Sequence, residues 1–160
     1  MTTRLAILLA FALALPAAAA PPPAIPYPAG YRHWMHVTSM VIYSDAHPLF
    51  AQFGGMHDIY VNQMGAGAVE RNGSFPDGSV LVLDLHEAKE DGGTYVAGPR
   101  KVLAVMVKNR KLYQTTGGWG FQAFKDDSHM ERMVTNPTEQ CFGCHEQQRS
   151  HDFVFSTYRP

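Results

Sequence analysis

The sequence has few cysteines and no excess of charge of either sign, and both features limit what the chain can do. Only 2 of its 160 residues are cysteine, and 13 Lys and Arg residues nearly balance 14 Asp and Glu residues. No Lys/Arg cluster could follow a phosphate backbone, so no nucleic acid partner is expected. Two cysteines would suffice for one disulfide. They lie three positions apart, however, and directly before a histidine, which indicates another use.

Long apolar runs are also scarce. The run Leu5–Leu15 follows the charged residue Arg4 and precedes the small residues Ala17–Ala20. This order is typical of a signal peptide, and a run of 11 residues is too short for a retained membrane anchor, which is the alternative interpretation. We therefore predict a signal peptide at residues 1–19 and export to the periplasm. No later stretch reaches transmembrane length, so no membrane span is expected in the mature protein.

Proline is concentrated just after this leader. Five of the 11 prolines lie between Pro21 and Pro28. This density predicts an extended, poorly ordered segment at residues 20–30. The mature chain has about 140 residues, which fits one domain with its own core. We place that domain at residues 31–160.

Short segments with strand character dominate the domain. Their β-branched and aromatic composition or their alternation predicts strands at residues 34–43, 59–61, 79–85, 101–108 and 119–124. Phe75-Pro-Asp-Gly78 and Asp91-Gly-Gly93 are turn signals. In the third strand, Leu81, Leu83 and Leu85 would share one apolar face. The sequence therefore predicts an α+β fold with a mostly antiparallel β-sheet and a few short helices, one of them a turn at residues 49–53.

The pattern becomes helical near the C-terminus. Asn136 is a suitable N-cap, Pro137 suits the first helical position, and Glu139 follows three residues after the cap. A short helix is therefore predicted from Pro137, and it would carry Cys141, Cys144 and His145.

Cys141-Phe142-Gly143-Cys144-His145 has the spacing of a haem c attachment sequence. Two thiols within one helical turn match the two haem vinyl groups, to which they add as thioethers. His145 would then lie beneath the iron as its proximal ligand. Haem c is attached outside the cytoplasm, so the predicted signal peptide and the motif support each other. One covalent haem c with its iron is the predicted cofactor.

Other uses of the same residues have to be considered. A zinc site needs four ligands, and His129 and His151 are the histidines that could join the two cysteines. A redox-active Cys-x-x-Cys pair usually opens a helix after the first strand of a thioredoxin-like unit, whereas this pair lies near the C-terminus. A Met or a second His could close the sixth coordination position of the iron, but no spacing selects one.

The chain resembles the cytochrome P-460 family, which includes hydroxylamine-oxidising cytochromes P460 and nitric-oxide-binding cytochromes c′-beta. Besides the haem motif, the resemblance is carried by Tyr31-Arg-x-Trp34, Phe75-Pro-Asp-Gly78, Gly118-Trp-x-Phe121 and Asp152-x-Val-Phe155. It covers essentially the whole mature domain. The resemblance implies a mostly antiparallel sheet, a homodimer, and a five-coordinate haem whose only protein ligand is His145.

One position separates the two branches of this family. Hydroxylamine-oxidising members carry a lysine on the strand after the Asp-Gly turn, and its amine bonds to the haem. Leu83 occupies that position here, and the nearest lysine, Lys89, is expected beyond the strand end. By resemblance, Leu83 and Phe50 would cap an apolar pocket on the other side of the haem, with His57 as the nearest polar candidate. This arrangement resembles a cytochrome c′-beta.

The leading functional hypothesis is therefore a periplasmic mono-haem cytochrome that binds nitric oxide or a similar small gas, for transport or detoxification. An apolar pocket offers few hydrogen-bond donors to a bound ligand, and nitric oxide and carbon monoxide bind without such hydrogen bonds. One alternative is a P460-type oxidoreductase acting on hydroxylamine, which would need the lysine cross-link. Another is a simple electron-transfer cytochrome with a redox partner cytochrome. The catalytic residues of any such enzyme cannot be read from the sequence.

Overall fold

The computed structural model describes residues 22–160, so the predicted signal peptide lies outside the described residues. Five strands form one sheet in which each strand pairs antiparallel with its neighbour in sequence. They are β1 (Met35–Ile42), β2 (Gly55–Val61), β3 (Val80–Asp91), β4 (Thr94–Lys108) and β5 (Trp119–Lys125). The prediction of an α+β fold with a mostly antiparallel sheet is confirmed.

Two short helices lie before β3. The first, α1 (Phe50–Phe53), falls within the predicted helical turn. The second, α2 (Gln63–Glu70), was not predicted, because it is short and its sequence contains two glycines, which have low helix propensity. Its N-cap is identifiable: the Asn62 side chain accepts a hydrogen bond of 3.1 Å from the Gly65 amide. Ala68 and Val69 of α2 are buried against the sheet.

The hairpin formed by β3 and β4 is longer than predicted. β3 continues to Asp91 and β4 begins at Thr94, with Gly92 and Gly93 at positive φ in the turn between them. The side chains of residues 91–97 are exposed, so this part of the hairpin shows no apolar alternation. The sequence pattern therefore marked only the half of each strand that is covered by other elements.

Both faces of the sheet are covered. The Leu81 face, which carries Leu81, Leu83 and Leu85 of β3, packs against α2 and the C-terminal residues. The Val82 face is the opposite one, and its buried residues are Ile25, Tyr31, Val82, Leu103, Val105 and Phe124. The predicted apolar face of β3 is confirmed, and the second face is apolar as well.

The Pro-rich segment was expected to be extended and poorly ordered, but part of it packs on the sheet. Ile25 is only 8% exposed and packs in the Val82-face cluster, and the ring of Tyr27 contacts that of Phe124 edge to face at 5.2 Å. Arg132 also donates a hydrogen bond to the Ile25 carbonyl. The folded part therefore begins before Tyr31, because the two large apolar side chains between the prolines have a surface to pack on.

A buried carboxylate joins the N-terminal 3-10 turn (Tyr31–His33) to the Val82 face. Asp84 accepts hydrogen bonds from Arg100 Nε at 2.6 Å, from Arg32 Nη2 at 2.9 Å and from the Tyr31 hydroxyl. Burial alone would raise the pKa of Asp84, but these donors outweigh it and hold the pKa at about 2. Burial and the Asp84 carboxylate raise the pKa of Tyr31 to about 12.

Over residues 22–160, no helix is both long and apolar enough to cross a membrane.

Candidate functional site

The C-terminal helical segment carries the two cysteines and the histidine. It consists of a π-helical turn (Thr138–Phe142), the α-helical turn α3 (Gly143–His145) and a 3-10 stretch (Glu146–His151). The helix predicted from Pro137 is thus present, although its first turn is wider than an α-helix. Such π turns are frequent at functional sites. The Gln140 side chain holds the start of the segment by accepting hydrogen bonds from the Thr135 and Asn136 amides.

The two cysteines are free thiols in different environments. Cys141 is half-buried against the Leu81-face cluster, and Cys144 is exposed. Burial raises the pKa of Cys141 to about 11, and the neighbouring Cys144 adds to the effect. A redox-active Cys-x-x-Cys pair needs a lowered thiol pKa, so this environment disfavours the thioredoxin-like alternative.

The two ring nitrogens of His145 are in different environments. Its Nδ1–H donates a 2.7 Å hydrogen bond to the Phe153 carbonyl, and the rings of Phe121 and Phe155 each lie 5.1 Å from the imidazole. Burial lowers the pKa of His145, which favours the neutral ring. Nε2 has no hydrogen-bond partner among residues 22–160, so its lone pair is available. In a metal-bound histidine, one ring nitrogen usually donates a hydrogen bond to a carbonyl, and the lone pair of the other nitrogen binds the metal.

A row of small and apolar side chains lies beside His145 on the Leu81 face. Phe121, which contacts the imidazole, is followed two residues later on β5 by Ala123. Ala123 pairs with Ala104, Ala104 with Leu83, and Leu83 with Ile59. All four side chains of this row are half-buried, unlike the fully buried Leu81 and Val61 of the adjoining row. We call this row the Leu83 row.

His57 lies next to the Leu83 row, and α1, which carries Phe50, directly precedes the same strand β2. Phe50 is half-buried on α1, and α1 leads through Gly54 to Gly55, which packs beside Leu85. His57 is buried on the same face as Leu83, one row further along. Its Nε2–H donates to the Phe53 carbonyl at 2.5 Å, so this donor is already used to hold α1. Burial lowers the pKa of His57.

The lysines differ from the expected pattern in one respect. Lys89 does not lie beyond the end of β3 but within it, paired with Val96 in the exposed part of the hairpin. The expectation was wrong because β3 is longer than its apolar stretch. Six strand residues correspond to about 20 Å, so the Lys89 backbone is far from Leu83. A different lysine, Lys108, is buried on the Leu81 face, but its ammonium is paired with Asp152 at 2.6 Å.

The zinc alternative finds no support in the geometry. His129 stacks on Tyr27 at 3.7 Å, at the Val82 face and away from the two cysteines. His151 is exposed beside Gln148. Within the described residues, no group of three or more His, Cys, Asp and Glu side chains is placed to hold a metal ion.

Three of the four flanking motifs that carried the family resemblance meet at one place, whereas Tyr31 of the fourth packs on the Val82 face. Asp152 accepts a hydrogen bond from the Phe75 amide at 2.8 Å, and its carbonyl accepts one from the Trp119 indole at 2.8 Å. Phe153, the next residue, orients His145. Widely separated parts of the sequence thus build the surroundings of a single imidazole.

An antiparallel sheet, a Cys-x-x-Cys-His segment docked on it and an adjoining apolar row define a haem-binding protein. The family model for cytochrome P460 matches residues 28–156, and the chain belongs to that family. No curated protein matches the chain. The family implies a haem cofactor with iron. The donor set fits this cofactor, because it offers two thiols within one helical turn and an imidazole with a free nitrogen.

Proposed function

We propose that this protein is a mono-haem c cytochrome whose five-coordinate iron binds nitric oxide or a similar small ligand. Cys141 and Cys144 would hold the macrocycle: each S–H adds across a vinyl double bond, so a thioether forms and no group leaves. His145 would bind the iron through Nε2, with Nδ1–H held by the Phe153 carbonyl. When bound, the haem supplies an iron with one open coordination position.

The observation that carries this proposal is the composition of the Leu83 row. Ile59, Leu83, Ala104 and Ala123 offer no side-chain hydrogen-bond donor, and the Nε2–H of the neighbouring His57 is used by Phe53. Leu83 and Phe50 would keep water from the iron. Such a pocket favours ligands that need no hydrogen bond, which supports nitric oxide rather than dioxygen.

Leu83 also separates this proposal from hydroxylamine oxidation. A leucine has no amine to bond to the macrocycle, Lys89 lies far along the hairpin, and Lys108 is held in an ion pair. We therefore propose an uncross-linked haem and a binding function. We further propose that the protein is exported through residues 1–19 and acts in the periplasm as a homodimer.

The first test is the spectrum of the ferrous protein, purified from the periplasm of a host with the haem attachment machinery. We expect a high-spin, five-coordinate spectrum that changes on addition of nitric oxide or carbon monoxide. The absorption bands should be those of an ordinary c-type haem, and the intact mass should equal the chain plus one unmodified haem.

Each contrary outcome points to one alternative. A six-coordinate, low-spin ferrous spectrum that does not change on addition of carbon monoxide would support a simple electron-transfer cytochrome. A red-shifted ferrous band, together with a mass that shows an additional bond between the protein and the haem, would support the hydroxylamine-oxidising enzyme.

The second test places a donor on the Leu83 row. In Leu83→Gln, the amide can donate to a bound ligand, and one hydrogen bond contributes about 1 kcal/mol. That energy corresponds to roughly fivefold in affinity. We expect the affinity for dioxygen relative to carbon monoxide to rise by roughly that factor, measured by equilibrium titration of the ferrous protein.

Leu83→Met is the matched control, because methionine has a similar volume and no donor. Its ratio of affinities should stay close to that of the wild-type protein. Equal ratios in Leu83→Gln and Leu83→Met would show that residue 83 does not face the ligand.

A further inference from the structure

A buried ion pair lies next to the backbone that orients His145. The Lys108 ammonium contacts Asp152 Oδ1 at 2.6 Å, and the two side chains are 2% and 13% exposed. Lys108 also donates to the Gly117 carbonyl at 3.1 Å and lies 4.8 Å from the centre of the Trp119 ring. A buried charge pair of this kind is a weak source of stability, which raises the question of what else it does.

Asp152 is fixed from three separate parts of the chain. Its carboxylate joins Lys108 at the end of β4 to the Phe75 amide in the loop before β3. Its carbonyl accepts the 2.8 Å hydrogen bond from the indole of Trp119 at the start of β5. The position of residue 152 is therefore fixed by these contacts outside the helical segment as well as by that segment, whose Arg149 carbonyl accepts a 3.3 Å hydrogen bond from the Asp152 amide.

The next residue presents its carbonyl to His145. Asp152 and Phe153 both have positive φ, 51° and 67°, which non-glycine residues rarely adopt. Two such residues in succession reverse the chain, and the Phe153 carbonyl then lies 2.7 Å from His145 Nδ1. The unusual backbone is held by the contacts of Asp152 and by the Phe153 ring, which packs against Gly117.

We infer that Lys108 and Asp152 are positioning residues for the proximal histidine. They fix the Phe153 carbonyl, which sets the strength of the Nδ1–H hydrogen bond and thereby the electron donation of Nε2 to the iron. The inference rests on the proposed function, in which His145 is the proximal ligand. Neither Lys108 nor Asp152 is hydrogen-bonded to His145, so their effect on the iron would be transmitted by the Phe153 carbonyl.

The test uses the double variant Lys108→Met/Asp152→Asn, which removes both charges and leaves neither one buried alone. Its matched control is Lys125→Met/Glu131→Gln, which neutralises a surface pair at 3.4 Å in the same way. We expect the loosened Nδ1–H bond to shift the iron–histidine stretching band of the ferrous haem protein to lower frequency and to raise the reduction potential. The control should leave both unchanged.

The outcomes separate this inference from the proposed function. A folded double variant with an unchanged band and potential would overturn the inference alone. A wild-type protein without an iron–histidine band would overturn the proposed function and the inference with it. If the double variant does not fold, Trp119→Phe removes the hydrogen bond to the Asp152 carbonyl and keeps an aromatic ring beside Lys108. We then expect a smaller shift in the same direction, and no shift would again overturn the inference.

Discussion

Replacing Cys141 and Cys144 together by serine should abolish covalent haem. A hydroxyl does not add to the vinyl groups as a thiol does, so neither thioether can form. After denaturation, the variant should carry no haem by haem staining, and its intact mass should equal the mature polypeptide alone. The wild-type protein should keep one haem under the same conditions.

The single variants Cys141→Ser and Cys144→Ser serve as matched controls for this result. Each keeps one thiol, half-buried in one case and exposed in the other, and should retain haem through one thioether at reduced yield. Covalent haem on the double variant would contradict the assignment of these cysteines. A colourless wild-type protein, produced with the attachment machinery present, would contradict the proposed function as a whole.

Asp84→Asn should strongly destabilise the folded protein. The carboxylate is only 2% exposed and faces Arg100, which is 9% exposed. Breaking one partner of a buried pair leaves the other charge uncompensated and costs about 3–5 kcal/mol. Denaturant unfolding followed by circular dichroism should show this loss in the free energy of unfolding.

The matched control is Glu131→Gln, whose exposed pair with Lys125 should contribute less than about 1 kcal/mol. It makes the same chemical change as Asp84→Asn, the conversion of a carboxylate into an amide. Similar losses in the two variants would contradict a special role of Asp84.

The effect of Asp84→Asn on the free energy of unfolding should also depend on pH. The pKa of Asp84 falls from 3.8 to about 2 on folding, so its stabilisation of about 2 kcal/mol is complete above pH 4 and is lost as pH falls towards 2. The difference in unfolding free energy between wild type and Asp84→Asn should shrink over that interval. A difference that is constant from pH 6 to pH 2 would show that the carboxylate titrates normally.

The sheet could be predicted from the sequence wherever a strand is covered by other elements. Leu81, Leu83 and Leu85 alternate because one face of β3 packs against the core, and this pattern located the strand. The outer half of the same hairpin, around Lys89, has both faces exposed and leaves no alternation to detect. Helix α2 was missed for a different reason, since its two glycines lower the helix propensity and the burial of Ala68 and Val69 offsets this.

The candidate site was predictable where local spacing encodes the chemistry. Cys141, Cys144 and His145 are recognisable because they must fall within one helical turn. The pairing of Lys108 with Asp152 could not be predicted, because 44 residues separate the two and only the folded sheet brings them together. The sequence did mark Asp152, because a motif that carries the family resemblance begins there, but this motif did not identify Lys108 as its partner.

The strand order of the sheet has a consequence for the maturation of the protein. Every strand pairs with its immediate neighbour in sequence, whereas the segment around Cys141 docks through contacts with residues as distant as Phe75. Contacts between sequence neighbours form sooner than distant ones, so we expect the sheet to assemble before this segment closes onto it. In that order of events Cys141 would be exposed to solvent until the segment docks, and both thiols of the proposed attachment site would be accessible to an attachment enzyme beside an already folded sheet.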